Sequence, residues 1–188
     1  MATSRLFERA ASSTLPFERT DIEQTIPARF DRVVERFPDY IALTGNGRSW
    51  TYAELDKWTN RIAHAILAQA PAAQSDAQCV AFLVGQSPEM VAMALAVLMA
   101  GKTYLRIHPE MPPAAQRDIL LDAAPALLLT TSKLLPRALE ISAGVCAVLA
   151  LDAIDGHYPD GNLKLPIDPA APSTIFYTSG RRVNPKAS

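Results

Sequence analysis

The sequence has 188 residues, of which 49% are hydrophobic and 20% are charged, and its formal charge is −1 at pH 7. This composition is typical of a folded globular protein and differs from that of a disordered chain. The near-neutral charge provides no basic surface, so we predict that the chain binds neither nucleic acid nor an anionic membrane surface.

Residues 1–20 show no sustained hydrophobic periodicity, and we predict a flexible lead-in there. No apolar run follows the charged residues of this segment, so we expect no secretory signal. The longest apolar segment, residues 90–100, has about half the length needed to cross a bilayer. We therefore predict a buried helix at residues 90–100 and no membrane partner.

Two isolated cysteines, Cys79 and Cys146, both lie in apolar surroundings and lack the spacing of a metal site. Such cysteines are typical of small core residues in a reducing compartment. We accordingly predict a cytoplasmic protein with neither a disulfide nor a metal-binding residue.

The first periodic elements follow the lead-in. Apolar residues recur at helical spacing over residues 26–37, and Pro38 closes this predicted helix. Short apolar runs at 41–44 and 48–50 flank the Gly45-Asn46-Gly47 turn, which is typical of a β-hairpin.

A helix is predicted directly after the hairpin. Thr51 and Glu54 have the spacing of a capping box, in which each side chain satisfies a free backbone N–H of the other residue. His64 lies beside the apolar stripe of this helix, and without a second ligand nearby we interpret it as structural.

Strands and helices alternate from residue 79 to residue 151, which predicts an α/β fold with an open, mostly parallel sheet flanked by helices. Ser87 and Ser132 are predicted to cap two of these helices through their hydroxyls. The predicted strands are 79–84, 103–107, 126–131 and 145–151, and the predicted helices are 89–100, 114–123 and 132–139.

Residues 152–172 contain many Pro and Gly residues and form a long connection with no predicted element. A connection of that length usually runs over the surface towards a functional feature. The apolar and aromatic run 173–177 then predicts a buried strand. Thr178-Ser179-Gly180 and Lys186 follow it, so hydroxyls, backbone amides and an ammonium meet at one place, which is a suitable arrangement for an anion.

Three motifs in this order resemble those of the adenylate-forming superfamily, which includes acyl-CoA synthetases, luciferase-like ligases and nonribosomal peptide synthetase adenylation domains. They are Trp50–Leu55, Leu98–Pro109, and Phe176–Gly180 with Pro185-Lys186. The resemblance covers residues from about 26 to the end. It implies that 21–188 are a partial adenylation (AMP-binding) domain, the N-terminal part of the enzyme's large domain, truncated after its phosphate loop.

The resemblance also implies a nucleotide-binding site. Thr178, Ser179, Gly180 and Lys186 match the loop that holds the phosphates of ATP in this family, and Mg²⁺ is expected with ATP in a complete member. Three positions depart from the loop pattern, because hydroxyl residues and a glycine are usual where this chain has Arg181, Arg182 and Val183.

These departures have physical consequences for the predicted loop. A β-branched valine adopts positive φ angles poorly, and the lost hydroxyls are lost donors to phosphate oxygens. The two arginines add positive charge that could bind phosphate in another way. We expect an impaired or remodelled loop that binds ATP poorly.

The second motif has one notable difference, since His108 stands where adenylation domains often have Asp. A histidine beside a proline at a strand end is usually a loop residue, and we assign it no catalytic role.

By resemblance, a complete relative would activate a carboxylic or amino acid with ATP to an acyl-adenylate, and we expect this chain alone to be inactive. No catalytic residue is assigned within it. An alternative is a degenerate, non-catalytic module that binds nucleotide or a protein partner. A third possibility is a generic α/β domain in which residues 177–180 form an ordinary turn. In the first case, an exposed sheet edge would favour self-association.

Overall fold

The structure is a computed structural model that describes residues 18–70, 79–154 and 156–177. Five α-helices, seven strands and three short 3-10 helices (Arg19–Glu23, Ser132–Leu134 and Leu151–Ala153) are present in these ranges. The α-helices are α1 (Ile26–Arg36), α2 (Tyr52–Gln69), α3 (Pro88–Met99), α4 (Pro113–Ala123) and α5 (Leu135–Ser142). The strands are β1 (Ile41–Gly45), β2 (Arg48–Thr51), β3 (Cys79–Leu83), β4 (Thr103–Ile107), β5 (Leu127–Thr130), β6 (Ala147–Ala150) and β7 (Thr174–Ile175).

A five-stranded parallel sheet forms the centre of the fold, in the order β6-β5-β3-β4-β7, and β1 and β2 form a separate antiparallel hairpin. The predicted parallel α/β architecture is confirmed. Central strand β3 is buried at all five positions, as its continuous apolar sequence predicts for a strand covered on both faces.

Helices cover both faces of the sheet. Helices α2 and α3 pack on one face, in the core cluster that contains Phe82. Residues of α4 and α5 pack on the opposite face, in the cluster that contains Leu83. Side chains of neighbouring positions therefore enter opposite layers, because successive residues of a strand point to opposite faces.

Both cysteines lie in the second layer, where Cys79 is buried and Cys146 is partly buried. Both are free thiols. Burial raises the pKa of each thiol to about 11, so both side chains stay protonated near neutral pH, as expected for packing residues.

The capping box at the start of α2 is confirmed. The Thr51 hydroxyl accepts a hydrogen bond from the backbone N–H of Glu54 at 3.2 Å, and the Glu54 carboxylate accepts one from the N–H of Thr51 at 2.8 Å. In the preceding hairpin, Asn46 and Gly47 have positive φ angles of 53° and 74°, which are conformations that Asn and Gly tolerate well.

The other two predicted caps are wrong. Ser87 stands at the N-cap position of α3, but its hydroxyl makes no capping bond and is buried without a partner among the described residues. Ser132 lies inside a 3-10 helix, and its backbone N–H donates to the Asp152 carboxylate at 2.6 Å. A residue from another segment provides the acceptor there, which local sequence spacing cannot reveal.

The long connection between β6 and β7 is a surface strap, defined here as residues 156–173. Asp160 of the strap pairs with Arg61 of α2 at 2.8 Å. The His64 ring donates from Nε2 to the carbonyl oxygen of Gly161 at 3.0 Å, so this histidine has the structural role predicted from the sequence. The strap thus crosses α2 on its way to the opposite edge of the sheet.

The last residues of the strap attach directly to β4. The hydroxyl of Thr103 donates to the carbonyl oxygen of Pro172 at 2.8 Å, and the backbone N–H of Tyr104 donates to the carbonyl oxygen of Ser173 at 3.1 Å. These bonds align β7 beside β4.

The start of the described chain is anchored by Asp21, whose carboxylate accepts from Arg29 at 2.8 Å and from Arg32 at 2.7 Å. Residue 21, the predicted start of the domain, lies within the 3-10 helix Arg19–Glu23. Residues 1–17 of the predicted lead-in lie outside the described residues, and that domain division stays a prediction. Across the described ranges, no helix is long and apolar enough to span a membrane.

Candidate functional site

Two neighbouring parallel strands at the centre of the sheet lead to helices on opposite faces. Strand β3 leads into α3 on one face, whereas the adjacent β4 leads into α4 on the other face. The loops that leave β3 and β4 therefore separate, and they open a crevice at the carboxyl ends of the strands. In open α/β sheets, ligands bind at such a switch point.

A cleft of about 730 Å³ lies at this switch point. Loops that follow β3, β4, β5 and β6 line it, together with the turn of the β1–β2 hairpin. The polar residues along its wall are Asn46, Gln86, Ser87, Glu89, His108, Glu110, Thr131, Lys133 and Asp152.

The wall of the cleft carries charges of both signs. Glu89, Glu110 and Asp152 provide carboxylates, while Lys133 provides an ammonium. Hydrogen bonds from the side chain and the backbone of Ser132 hold the pKa of Asp152 below its usual range. Asp152 therefore remains ionised and joins the end of β6 to the end of β5.

His108 lines the cleft from the loop after β4, and its side chain is 42% exposed. Its Nδ1 atom lies 3.9 Å from a carboxylate oxygen of Glu110 and accepts a long bond of 3.4 Å from the Glu110 N–H. The buried side chain of Gln116 fixes this loop by donating to the carbonyl oxygens of His108 and Pro109 at 2.9 and 3.3 Å. His108 thus lies in the loop after β4, as predicted.

Strand β7 runs parallel to β4, with Tyr104 opposite Thr174 and Leu105 opposite Ile175. Its carboxyl end therefore lies at the same edge of the sheet as the cleft. The described chain ends at Tyr177, whose hydroxyl donates to the Asp122 carboxylate of α4 at 2.6 Å.

The prediction of a buried strand over residues 173–177 is wrong. The observed strand has two residues of intermediate exposure, and Phe176 and Tyr177 are 77% and 42% exposed. These residues are exposed because β7 is an edge strand, and β4 is its one neighbour in the described sheet.

All of the predicted loop positions lie outside the described residues, so their arrangement is not part of the structure described. They are Thr178, Ser179, Gly180 and Lys186, together with the departures Arg181, Arg182 and Val183. Their role stays a prediction. The described residues contain no cluster of three or more His, Cys, Asp or Glu side chains able to hold a metal ion.

Sequence reasoning missed the switch-point cleft and the residues that support it. Gln116 and Asp152 act on loops that are distant in sequence, and no local motif marks them. The sequence predicts the hairpin turn, but the position of this turn beside the cleft depends on tertiary packing. The order of the strands would have revealed the switch point, but alternation of elements alone does not give that order.

Comparison with known proteins gives a consistent result. The sequence pattern of the AMP-binding enzyme family matches residues 30–187. Surfactin synthase subunit 1 of Bacillus subtilis (strain 168) is 35% identical over 185 residues, which are 96% of this chain and 5% of that protein. Tyrocidine synthase 3 of Brevibacillus parabrevis is 32% identical over 166 residues, 88% of this chain and 2% of that protein. The chain thus spans a small fraction of the relatives that it matches.

Solved structures agree with the sequence relatives. The nonribosomal peptide synthetase FmoA3, in a form bound to α-methyl-L-serine-AMP, matches 82% of this chain and 17% of its own with 27% identity and a TM-score of 0.73. The N-terminal subdomain of Klebsiella oxytoca NpsA matches 84% of this chain and 39% of its own with 25% identity and a TM-score of 0.67.

Proposed function

This chain belongs to the AMP-binding enzyme family, and on that premise we propose that it serves in the ATP-dependent activation of an amino or other carboxylic acid to an acyl-adenylate. It corresponds to the N-terminal part of an adenylation domain of the nonribosomal peptide synthetase type. The observation that carries the proposal is the match to such synthetases over 96% of the chain.

The structure supports a role for this part of the domain in holding the phosphates of ATP. Strand β7 is parallel to β4 and ends at the carboxyl edge of the sheet. The predicted phosphate loop follows it in the sequence, from residue 178, outside the described residues. Thr178, Ser179, Gly180 and Lys186 would hold the phosphates through hydroxyls, backbone amides and an ammonium. Mg²⁺ bound with ATP would offset the charge of the phosphates in a complete domain.

Groups that bind the acid and the nucleoside would come from the remainder of an adenylation domain. FmoA3 in the solved complex carries an amino acid joined to AMP, which supports an amino acid as the substrate class. We therefore expect the chain alone to show no exchange activity, and we propose a cytoplasmic location with ATP and the acid as partners.

A second candidate is a non-catalytic adenylation-like module that binds nucleotide or another protein. The observation that favours it is the replacement of loop hydroxyls and glycine by Arg181, Arg182 and Val183. Self-association through β7 would suit either candidate, because β7 lies at an open edge of the described sheet.

A chimera tests the two candidates directly. Residues 21–188 replace the matching part of an adenylation domain of surfactin synthase subunit 1, and ATP–pyrophosphate exchange is measured with a panel of amino acids. Because the loop lacks usual phosphate donors, we expect exchange about 10² to 10³ times slower than in the parent domain. The combined substitutions Arg181→Ser, Arg182→Thr and Val183→Gly should restore most of this loss.

Arg36→Ser is the matched control, since Arg36 is an exposed arginine on α1 and its loss should leave the exchange rate of the chimera unchanged. Exchange at the parent rate with the native loop would contradict the impaired loop. A folded chimera that stays inactive after loop restoration would contradict the adenylation proposal and support the non-catalytic module.

A further inference from the structure

Two polar side chains at the β4–β7 margin carry buried atoms with no hydrogen-bond partner. They are Nε and Nη2 of Arg106 and the hydroxyl oxygen of Thr174, judged against all of the described residues. Buried polar groups in folded proteins are nearly always paired, because an unpaired one loses its water without compensation. These two side chains therefore call for a missing partner.

Both side chains lie on the same face of the sheet. Thr174 is opposite Tyr104 in the parallel pairing, and Tyr104 packs against the core cluster of α2 and α3. Arg106 follows Tyr104 by two positions on β4, and alternation along a strand returns it to the same face. Arg106 and Thr174 are thus diagonal neighbours on adjacent strands, a separation that a long side chain can span.

The unpaired atoms of Arg106 have a specific chemistry. Nε–H and the facing Nη2–H lie along one edge of the planar guanidinium and form two parallel donors, which fit two oxygens of one phosphate or carboxylate. The Thr174 hydroxyl adds a third possible donor. A phosphate group presents at least three acceptor oxygens and so matches all three donors, whereas a carboxylate presents two.

The surroundings provide no counter-ion for Arg106. No salt bridge to Arg106 exists among the described residues. Arg106 and Thr174 are each only partly buried, and Phe176, which follows β7, is 77% exposed. The unpaired atoms themselves are buried, so a ligand would reach the Arg106 donors after the long side chain turns towards the edge of the sheet.

We propose that Arg106 and Thr174 form a binding position for a phosphate group at the β4–β7 margin, on the face covered by α2 and α3. The position is built from strand residues and does not depend on the predicted loop at 178–186. It also needs no adenylation activity, so its test is separate from that of the proposed function.

Calorimetric titration of the purified chain with inorganic pyrophosphate, in the absence of magnesium, tests the proposal. We expect saturable binding by the unaltered chain. Arg106→Lys keeps the charge but loses the paired donors, and it should weaken binding by about tenfold or more. Thr174→Val should weaken binding by about threefold to tenfold, since it removes one hydrogen bond of ordinary strength.

Arg36→Lys is the matched control, because it makes the same exchange at an exposed site on α1, and it should bind pyrophosphate like the unaltered chain. A urea melt of each variant confirms that it is folded. In ¹⁵N spectra, pyrophosphate should shift the Nε–H signal that disappears in Arg106→Lys, a response that a purely structural arginine would not give.

Three results would overturn the proposal. The first is an absence of pyrophosphate binding, and the second is binding that Arg106→Lys retains as fully as Arg36→Lys does. The third is equal, Arg106-dependent binding of acetate, which would assign the position to a protein carboxylate. Failure of exchange by the chimera would refute the proposed function and leave this binding result unaffected.

Discussion

Strands β3 and β7 belong to the same parallel sheet but have very different surroundings. All five residues of β3 are buried, and both of its neighbours pair with it over four or five positions. Strand β7 pairs at two positions with β4 alone among the described strands, and both of its residues are partly exposed. The packing around β3 is complete within the described chain, whereas the packing around β7 is open.

This difference separates the part of the molecule that forms the fold from the part that is predicted to serve the ligand. Hydrophobic burial on two faces stabilises the centre of the sheet. A few backbone and side-chain hydrogen bonds attach β7, and the family motif begins where the attachment ends. Such edges are suited to binding, because an edge strand presents unpaired backbone N–H and C=O groups.

Two phenylalanines give the sharpest test of this contrast. Phe82 on β3 is 1% exposed and stacks on Tyr104 with ring centroids 5.5 Å apart, so Phe82→Ala should lower the free energy of unfolding by about 3–5 kcal/mol. Phe176 is 77% exposed, so Phe176→Ala should change it by less than about 0.5 kcal/mol. Urea denaturation followed by circular dichroism measures both values.

The two variants are controls for each other, since each deletes the same phenyl group. A loss for Phe176→Ala as large as that for Phe82→Ala would show that the β7 margin is packed in solution. That outcome would also favour self-association through this edge, and sedimentation velocity on the unaltered chain would detect the oligomer.

The attachment of β7 is tested by Thr103→Val. The hydroxyl of Thr103 is partly buried and donates to the carbonyl oxygen of Pro172 at 2.8 Å. Its removal leaves this acceptor unpaired and should cost about 1 kcal/mol. The loss should appear locally as faster hydrogen exchange of the Tyr104 N–H, which is bonded to the carbonyl oxygen of Ser173.

Thr44→Val is the control, because the hydroxyl of Thr44 lies exposed on β1, 3.1 Å from that of Ser49. Hydrogen exchange of the Tyr104 N–H should be unchanged in Thr44→Val. Equal acceleration in both variants would mean that Thr103 does not attach the strap. Exchange of amides on β3 should be unaffected in either variant.

The smallest expected effect concerns Asp152 and its dependence on pH. Hydrogen bonds from Ser132 lower the folded-state pKa of Asp152 below its unfolded value, so its contribution to stability is present above the unfolded pKa and is lost as pH falls through the folded pKa. Asp152→Asn should therefore be less stable than the unaltered chain at pH 7, and the difference should shrink under acidic conditions. Thermal melts across this pH range measure it.

Asp118→Asn, an exposed substitution on α4, supplies the reference for the general loss of one carboxylate. Identical pH profiles for the two variants would show that the bond between Asp152 and Ser132 does not contribute to stability.

The sequence predicts the elements of this fold well, because most of their signals are local. Continuous apolar runs gave β3 and β5, the periodic stripe gave α2, and the Thr51–Glu54 spacing gave its cap. Pro, Gly and Asn marked the ends of several elements. Each of these signals depends on residues that are close in sequence, so it can be recognised without knowledge of the tertiary structure.

The arrangement of the elements could not be predicted in the same way. The hydroxyl of Ser87 has no local bond, and the N–H of Ser132 is satisfied by Asp152 from beyond β6. The unpaired groups of Arg106 and Thr174 become neighbours only because β7 pairs with β4. Edge position also exposes Phe176, whose apolar sequence context alone predicts burial.

The strap has a consequence for the order in which the protein folds. It carries the chain from β6 at one edge of the sheet to β7 at the other, and the bond from Thr103 to Pro172 joins residues 69 positions apart. Closing so long a segment costs chain entropy before β7 gains its few contacts. Strand β7 should therefore dock after β3, β4 and β5 have formed their core, and its docking would complete the predicted phosphate-binding edge as the last step of folding.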